Sequence, residues 1–256
     1  MNLGLGDKAI IVTGAASGIG AAIAGLLAQE GVGGLVLVDR NGDGARQVAD
    51  SLSAEAEVVI ADLEDPYAPA TIAAAAKTRF GRIDGLVNAA GLTTRGSVAS
   101  GTPEVWDSLF AINARAAFFL MQAAVADMTA RRAPGAIVNI LSMNAYCGIP
   151  ELAIYAGTKG ALSTLTKNAA HAHMADRIRV NGINLGWVAT ESERRMQAED
   201  LGRGSDWLAK AESATPLGRL VAAEECARLA VFLLSDASIP MSGAILDLEQ
   251  KVAGAM

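Results

Sequence analysis

Thr13-Gly14-Ala15-Ala16-Ser17-Gly18-Ile19-Gly20 decides how this chain is read. The segment leaves an apolar run, Ala9–Thr13, and enters an alanine-rich one, Gly18–Gln29, so it is a tight turn from a strand into a helix. Glycines there let the backbone approach a pyrophosphate, and the helix N-terminus offers amide donors and a partial positive charge. Three glycines alone fit any tight turn of this kind equally well. Asp39 narrows the reading. It closes the next apolar run, nineteen positions after Gly20, where a carboxylate accepts hydrogen bonds from both hydroxyls of an adenosine ribose. The same charge repels a 2′-phosphate, which predicts NAD over NADP as cofactor. Arg40 alongside pulls the other way, while Ala16 adds no second cation inside the turn.

Outward from this turn, short runs rich in valine and isoleucine alternate with longer helical stretches. Strands are predicted at Ala9–Thr13, Leu35–Asp39, Glu57–Ala61, Gly85–Asn88, Ala136–Leu141, Arg179–Asn184 and Ala244–Leu248, nearly continuously apolar as strands covered on both faces are. Helices are predicted at Gly18–Gln29, Asp43–Leu52, Ala68–Arg79, Glu104–Arg131, Leu152–Met174 and Ala222–Leu234. The βα alternation predicts an α/β fold with a doubly wound parallel sheet. Residues 187–216 lack periodicity and crowd charges such as Glu191, Glu193, Arg194, Arg195 and Glu199, which predicts a lid over a site.

Composition sets the outer limits. The 256 residues are 52% hydrophobic and 19% charged, which predicts a single domain over 1–256 and excludes a disordered chain. Two cysteines, Cys147 and Cys226, cannot build a disulfide framework and read as reduced thiols. A net charge of −6 with scattered arginines predicts no nucleic-acid partner. No apolar run nears the ~20 residues that cross a bilayer and no apolar signal core opens the chain, which predicts a soluble cytoplasmic protein away from membranes. His171 and His173 are two apart, on different sides of a helix, and predict no metal site.

The turn is spaced Gly-x3-Gly-x-Gly rather than as the commoner dinucleotide fingerprint. Further on stand Asp62-Leu63, Asn88-Ala89-Ala90-Gly91, Asn113, Ser142, Tyr155-x3-Lys159 and Gly186-Trp187-Val188-Ala189-Thr190. Together, across nearly the whole chain, these motifs resemble the short-chain dehydrogenase/reductase family. The resemblance implies a cofactor site made by Gly14, Ser17, Gly18, Ile19 and Gly20 with Asp39 and Arg40. It puts Asp62 and Leu63 at the adenine, Asn88, Ala89, Ala90 and Gly91 along the ribose and nicotinamide, and Val188 and Thr190 at the carboxamide and phosphates. It also implies a homo-oligomer, a tetramer. Ala89 stands where a second asparagine is more frequent, Leu185 where a proline is usual, and the ending Asp247-Leu248-Glu249-Gln250 replaces aspartate-glycine-glycine, a change that bears on the subunit interface or the pocket floor.

Tyr155 and Lys159, four apart, share a helix face. A phenol titrating near 10 is a poor base at neutral pH, but an ammonium about 4 Å away is worth roughly 4 kcal/mol, or about three pK units. Tyr155 is thus the expected proton acceptor for a secondary alcohol, and Lys159 both tunes it and holds the nicotinamide ribose. Ser142, at the carboxyl edge of the fifth strand, is expected to orient the substrate oxygen. By the resemblance, Asn113 fixes a water that relays protons through Lys159. Cys147 has no histidine near it in sequence and reads as packing.

The leading reading is an NAD-dependent dehydrogenase of a small secondary alcohol, a sugar, polyol or sugar acid. Thr93, Thr94, Arg95, Asn144, Tyr146, Glu151, Glu191 and Arg194 are the polar groups expected around that substrate, with Trp187, Met196 and Trp207 as apolar candidates. Two rivals remain: an NADP-linked 3-oxoacyl thioester reductase, and a catalytically silent NAD-binding regulator on the same fold.

Overall fold

Every apolar run predicted as a strand is one, to within one residue at each end. In the computed structural model, which describes residues 3–253, the strands are β1 (Ala9–Thr13), β2 (Gly34–Asp39), β3 (Ala56–Ile60), β4 (Gly85–Asn88), β5 (Gly135–Ile140), β6 (Ile178–Leu185) and β7 (Ile245–Leu248). They form one parallel sheet in the order β3-β2-β1-β4-β5-β6-β7. The order reverses between β1 and β4, where Val12 pairs with Val87. That switch opens a crevice beyond the carboxyl ends of both strands.

Side-chain alternation splits the core in two. Ile10, Val12, Leu35 and Leu37 face α1 (Gly18–Gln29) and a later helix, Ala223–Leu234. Ile11, Val36 and Val38 face the opposite layer, made by α3 (Ala68–Phe80) and the helices that follow β4 and β5. On the α1 side lies α2 (Gly42–Ser51), started by the Asn41 side chain, which accepts from the Gly44 amide, with Val48 and Ala49 packed on that half of the core. All eight residues of β6 are buried, whereas the edge strand β7 is half-buried.

One predicted helix is broken. Instead of a continuous α-helix over Glu104–Arg131, the chain forms α4 (Pro103–Phe110), a π turn over Ala111–Ala116, and α5 (Ala117–Ala130). A single π turn shifts the helical phase by only one residue, which a run as broadly apolar as this one does not reveal. The whole segment Pro103–Ala130 is also long and apolar enough to cross a membrane, with a mean hydropathy of 1.5, contrary to the reading that no run came near that length. Of that window 61% is buried within the fold, where α5 packs on α3, β4 and β5.

After β5 come α6 (Asn144–Cys147), a 3-10 turn over Pro150–Leu152, and α7 (Ala153–His173). The segment 187–216 is more regular than its sequence implied, with α8 (Glu191–Arg195), a π turn over Met196–Asp200, and α9 (Trp207–Ser213). Its helices are too short to display an amphipathic period. The last helix, α10 (Ala223–Leu234), packs on α1.

Candidate active site

The crevice at the strand-order switch is a cleft of about 830 Å³ that runs from the glycine turn to α8. Gly14 has φ +68, and a Cβ on it would stand 2.9 Å from the Ala90 Cα, so the turn fits against the loop after β4 only without a side chain there. A Cβ on Gly20 would run into the Gly14 carbonyl. Thr13 fastens the two loops together: its Oγ1 accepts from the Ala89 and Ala90 amides, each at 3.1 Å.

At the start of α1, Ser17 has extended backbone and its hydroxyl caps nothing, and the first turn carries no acidic residue. The amides there therefore face the cleft with their positive dipole end uncancelled, which suits a phosphate. Asp39, at the end of β2, accepts from the Ala16 amide at 3.0 Å and the Asn41 amide at 2.9 Å, one on each carboxylate oxygen. These bonds fix the carboxylate beside the turn and leave each oxygen able to accept once more. Exposed Arg40 and the residues Asp62 and Leu63 line the same end. A dinucleotide is the group these residues fit: anion-binding amides at one point, and a fixed acceptor for a diol beside them.

Of the catalytic and cofactor residues singled out in the sequence, Gly14, Ser17, Gly18, Ile19, Gly20, Asp39, Arg40, Asp62, Leu63, Ala89, Ala90, Gly91, Ser142, Tyr155, Lys159, Val188 and Thr190 all line this cleft. Two do not. Asn88 is buried below it, its Nδ2 donating to Asn139 Oδ1 at 2.8 Å, because its side chain points into the sheet layer rather than along the crevice. Asn113, in the π turn, is occupied on both ends: Oδ1 accepts from the Leu92 amide, and Nδ2 donates to the Leu92 carbonyl and to Thr158. Its side chain clamps the loop after β4, with one lone pair of Oδ1 left over.

Tyr155 and Lys159 lie on the cleft-facing side of α7, 8% and 5% exposed. Lys159 Nζ donates to the Ile140 carbonyl at 2.8 Å and stands 5.8 Å from the centre of the Tyr155 ring. Burial lowers its pKa to about 8. The effect on Tyr155 corrects the expectation of a lowered phenol. Desolvation raises its pKa above 10, the neighbouring Ser142 hydroxyl works against that, the Glu193 charge adds to it, and the Arg95 charge opposes it. The sequence estimate counted the neighbouring ammonium and left out the cost of burying a phenolate. Ser142 lies two residues past the end of β5, and its Oγ accepts from the Asn144 amide and side chain, each at 3.2 Å.

On the substrate side, Thr93, Arg95 and Asn144 line the cleft, whereas Thr94, Tyr146, Glu151, Glu191 and Arg194 do not. Tyr146 instead donates to Asp247 at 2.9 Å. Trp187 and Met196 line it too, and buried Trp207 backs Trp187 at 5.7 Å between ring centres. Glu193 and Gln197 are wall residues that the sequence reading did not single out; the i, i+4 spacing within the charged segment was the available signal.

A family model described as enoyl-(acyl carrier protein) reductase matches residues 14–250. The chain belongs to the short-chain dehydrogenase/reductase family. It is 36% identical over 239 residues to gluconate 5-dehydrogenase of Gluconobacter oxydans, covering 92% of this chain and 91% of that one. Its structure is similar to L-sorbose reductase from Gluconobacter frateurii in complex with NADPH and L-sorbose, with a TM-score of 0.92, 30% identity and full coverage of both chains. It is also similar to 3-ketoacyl-(acyl-carrier-protein) reductase from Brucella melitensis complexed with NADH, with a TM-score of 0.85 and 29% identity over 95% of this chain and 97% of that one. The protein is an oxidoreductase of this family.

Glu193 offers a direct check on the electrostatics of this dehydrogenase site. Glu193→Gln keeps an oxygen for the Trp187 and Gln197 donors but removes the charge that disfavours a Tyr155 phenolate. The Tyr155 pKa then falls, and the rising limb of alcohol oxidation against pH moves to lower pH. A profile of kcat from acid to alkaline pH reads this; an unmoved or upward-shifted limb contradicts the assigned electrostatics.

Proposed function

We propose that the protein is an NAD-dependent dehydrogenase of secondary alcohols in the sugar, polyol and sugar-acid class, with Tyr155, Ser142 and Lys159 at the reacting centre. The observation that carries this reading is Tyr155, Ser142 and Lys159 lining one cleft with the glycine turn and the fixed Asp39 carboxylate. Bound there, a nicotinamide supplies hydride transfer and, when oxidised, a positive charge that favours the phenolate. Ser142 holds the substrate oxygen. Tyr155 takes the hydroxyl proton in oxidation and returns it in reduction. Lys159, with its pKa near 8, gains or loses a proton close to neutrality and so passes it onward. Asn113 acts through the loop it clamps, as a positioning residue.

NAD over NADP rests on Asp39. With the turn amides and Asn41 both donating to it, the carboxylate cannot swing away from a 2′-phosphate. Residues 187–216 serve as the lid, tied to the facing loop where Thr93 Oγ1 meets the Met196 sulfur at 3.7 Å. A homotetramer suits the exposed Trp106, Phe118 and Phe119 on α4 and α5, which it would cover.

The test is a panel of sugars, alditols, aldonic acids, a hydroxysteroid and a 3-hydroxyacyl thioester, each with NAD and NADP. Wild type is expected to favour NAD and the polyhydroxylated compounds. Asp39→Ala is expected to narrow the NAD preference by about tenfold or more in kcat/KM, since one hydrogen-bonded charge is worth about 1.5–3 kcal/mol. A wild type that favours NADP shows that Arg40 prevails over Asp39, and a thioester preferred by a wide margin favours the acyl reductase reading.

A further inference from the structure

Among the described residues, Arg95 and Glu193 on the substrate wall have no ion-pair partner. Arg95, half-buried in the loop after β4, makes no hydrogen bond or ion pair among the described residues. Glu193, in α8, has one carboxylate oxygen held by two donors, Trp187 Nε1 at 2.7 Å and Gln197 Nε2 at 2.6 Å. That locking turns the carboxylate into a fixed fixture, and its other oxygen, Oε2, accepts no hydrogen bond among the described residues. The two groups come from segments that face each other across the cleft, brought together where Thr93 meets Met196.

We infer that this pair selects a polyhydroxy acid: Arg95 takes the substrate carboxylate, and Glu193 Oε2 accepts from a substrate hydroxyl. A guanidinium presents a planar fork that matches a carboxylate and is costly to leave half-desolvated without a partner. A carboxylate fixed by two donors is an acceptor for a hydroxyl donor and repels a second anion. A neutral polyol satisfies only Glu193, and an apolar substrate satisfies neither; an aldonate-like chain satisfies both. Arg203, the other arginine on this side of the cleft, is exposed and meets water. The opposite influences of Arg95 and Glu193 on Tyr155 agree with both facing the reacting position. In the reaction the secondary hydroxyl of the acid becomes a keto group, its hydride passing to NAD and its proton to Tyr155.

This inference rests on the dehydrogenase reading above, and the test separates the two. Wild type is assayed with NAD on a hexonate, the matching alditol and the matching aldose, and each compound is also tested for its effect on the melting temperature of the NAD complex. The hexonate is expected to give the highest kcat/KM and the largest rise in Tm. Arg95→Gln is expected to raise KM for the hexonate about tenfold to a hundredfold with a smaller change in kcat, and to abolish the Tm rise; Arg95→Lys keeps most of both. A hexonate that is neither oxidised nor bound while the alditol is oxidised overturns the inference and leaves the dehydrogenase standing, as does R95Q with unaltered hexonate KM. No oxidation of any of the three, with no Tm response, overturns both. If R95Q does not fold, inhibition of wild type by a short hydroxy acid is compared with that by its amide, and equal inhibition counts against the inference.

Discussion

Tyr155→Phe should lose about 10²- to 10⁴-fold in kcat while its affinity for the cofactor stays within a few-fold of wild type. The ring is 8% exposed and packs with Leu109, Leu152 and Ile154, contacts that phenylalanine keeps. Only the hydroxyl is lost. Stability should change little, because the phenol is buried at a desolvation cost that the mutation removes. Steady-state kinetics beside a fluorescence titration of reduced cofactor separate the two effects. Turnover within tenfold of wild type would remove Tyr155 from the proton-transfer step.

The largest stability effect is expected far from the cleft. Asp84, 4% exposed just before β4, accepts from the Ala9 amide at 2.9 Å, from Arg82 at 2.9 Å and from Arg131 at 3.1 Å. It ties β1 to β4 at their amino ends, opposite the catalytic edge. Asp84→Ala leaves a buried amide without an acceptor and two arginines without their shared counter-charge. The expected loss is about 3 kcal/mol, which for a chain of this size lowers Tm by about 10 °C. Thermal unfolding measures it directly. Activity per folded molecule should be preserved, and a Tm within 2–3 °C of wild type, against about 2–4 °C per kcal/mol, would show that the network contributes little net stability.

The strands, their parallel doubly wound arrangement and the glycine turn were legible in the sequence because each is coded locally. Runs such as Ala9–Thr13 and Gly85–Asn88 are apolar on both faces, and the right-handed crossover rule leaves few ways to connect them. Gly14 and Gly20 are marked because no other residue satisfies their close approaches. Tyr155 and Lys159 are legible because a spacing of four is a property of one helix. The tertiary structure alone decided the rest. The one-residue phase shift of the π turn that holds Asn113 is lost in a broadly apolar run, and the inward direction of Asn88 follows from its Asn139 partner on a neighbouring strand. Whether Tyr155 titrates low or high depends on burial against charge, a balance set by α8 and the loop after β4 as much as by Lys159. Arg95 and Glu193 lie 98 residues apart in sequence, and only the closing of those two segments over one cleft makes them a pair, because burial and long-range proximity are products of packing rather than of local sequence.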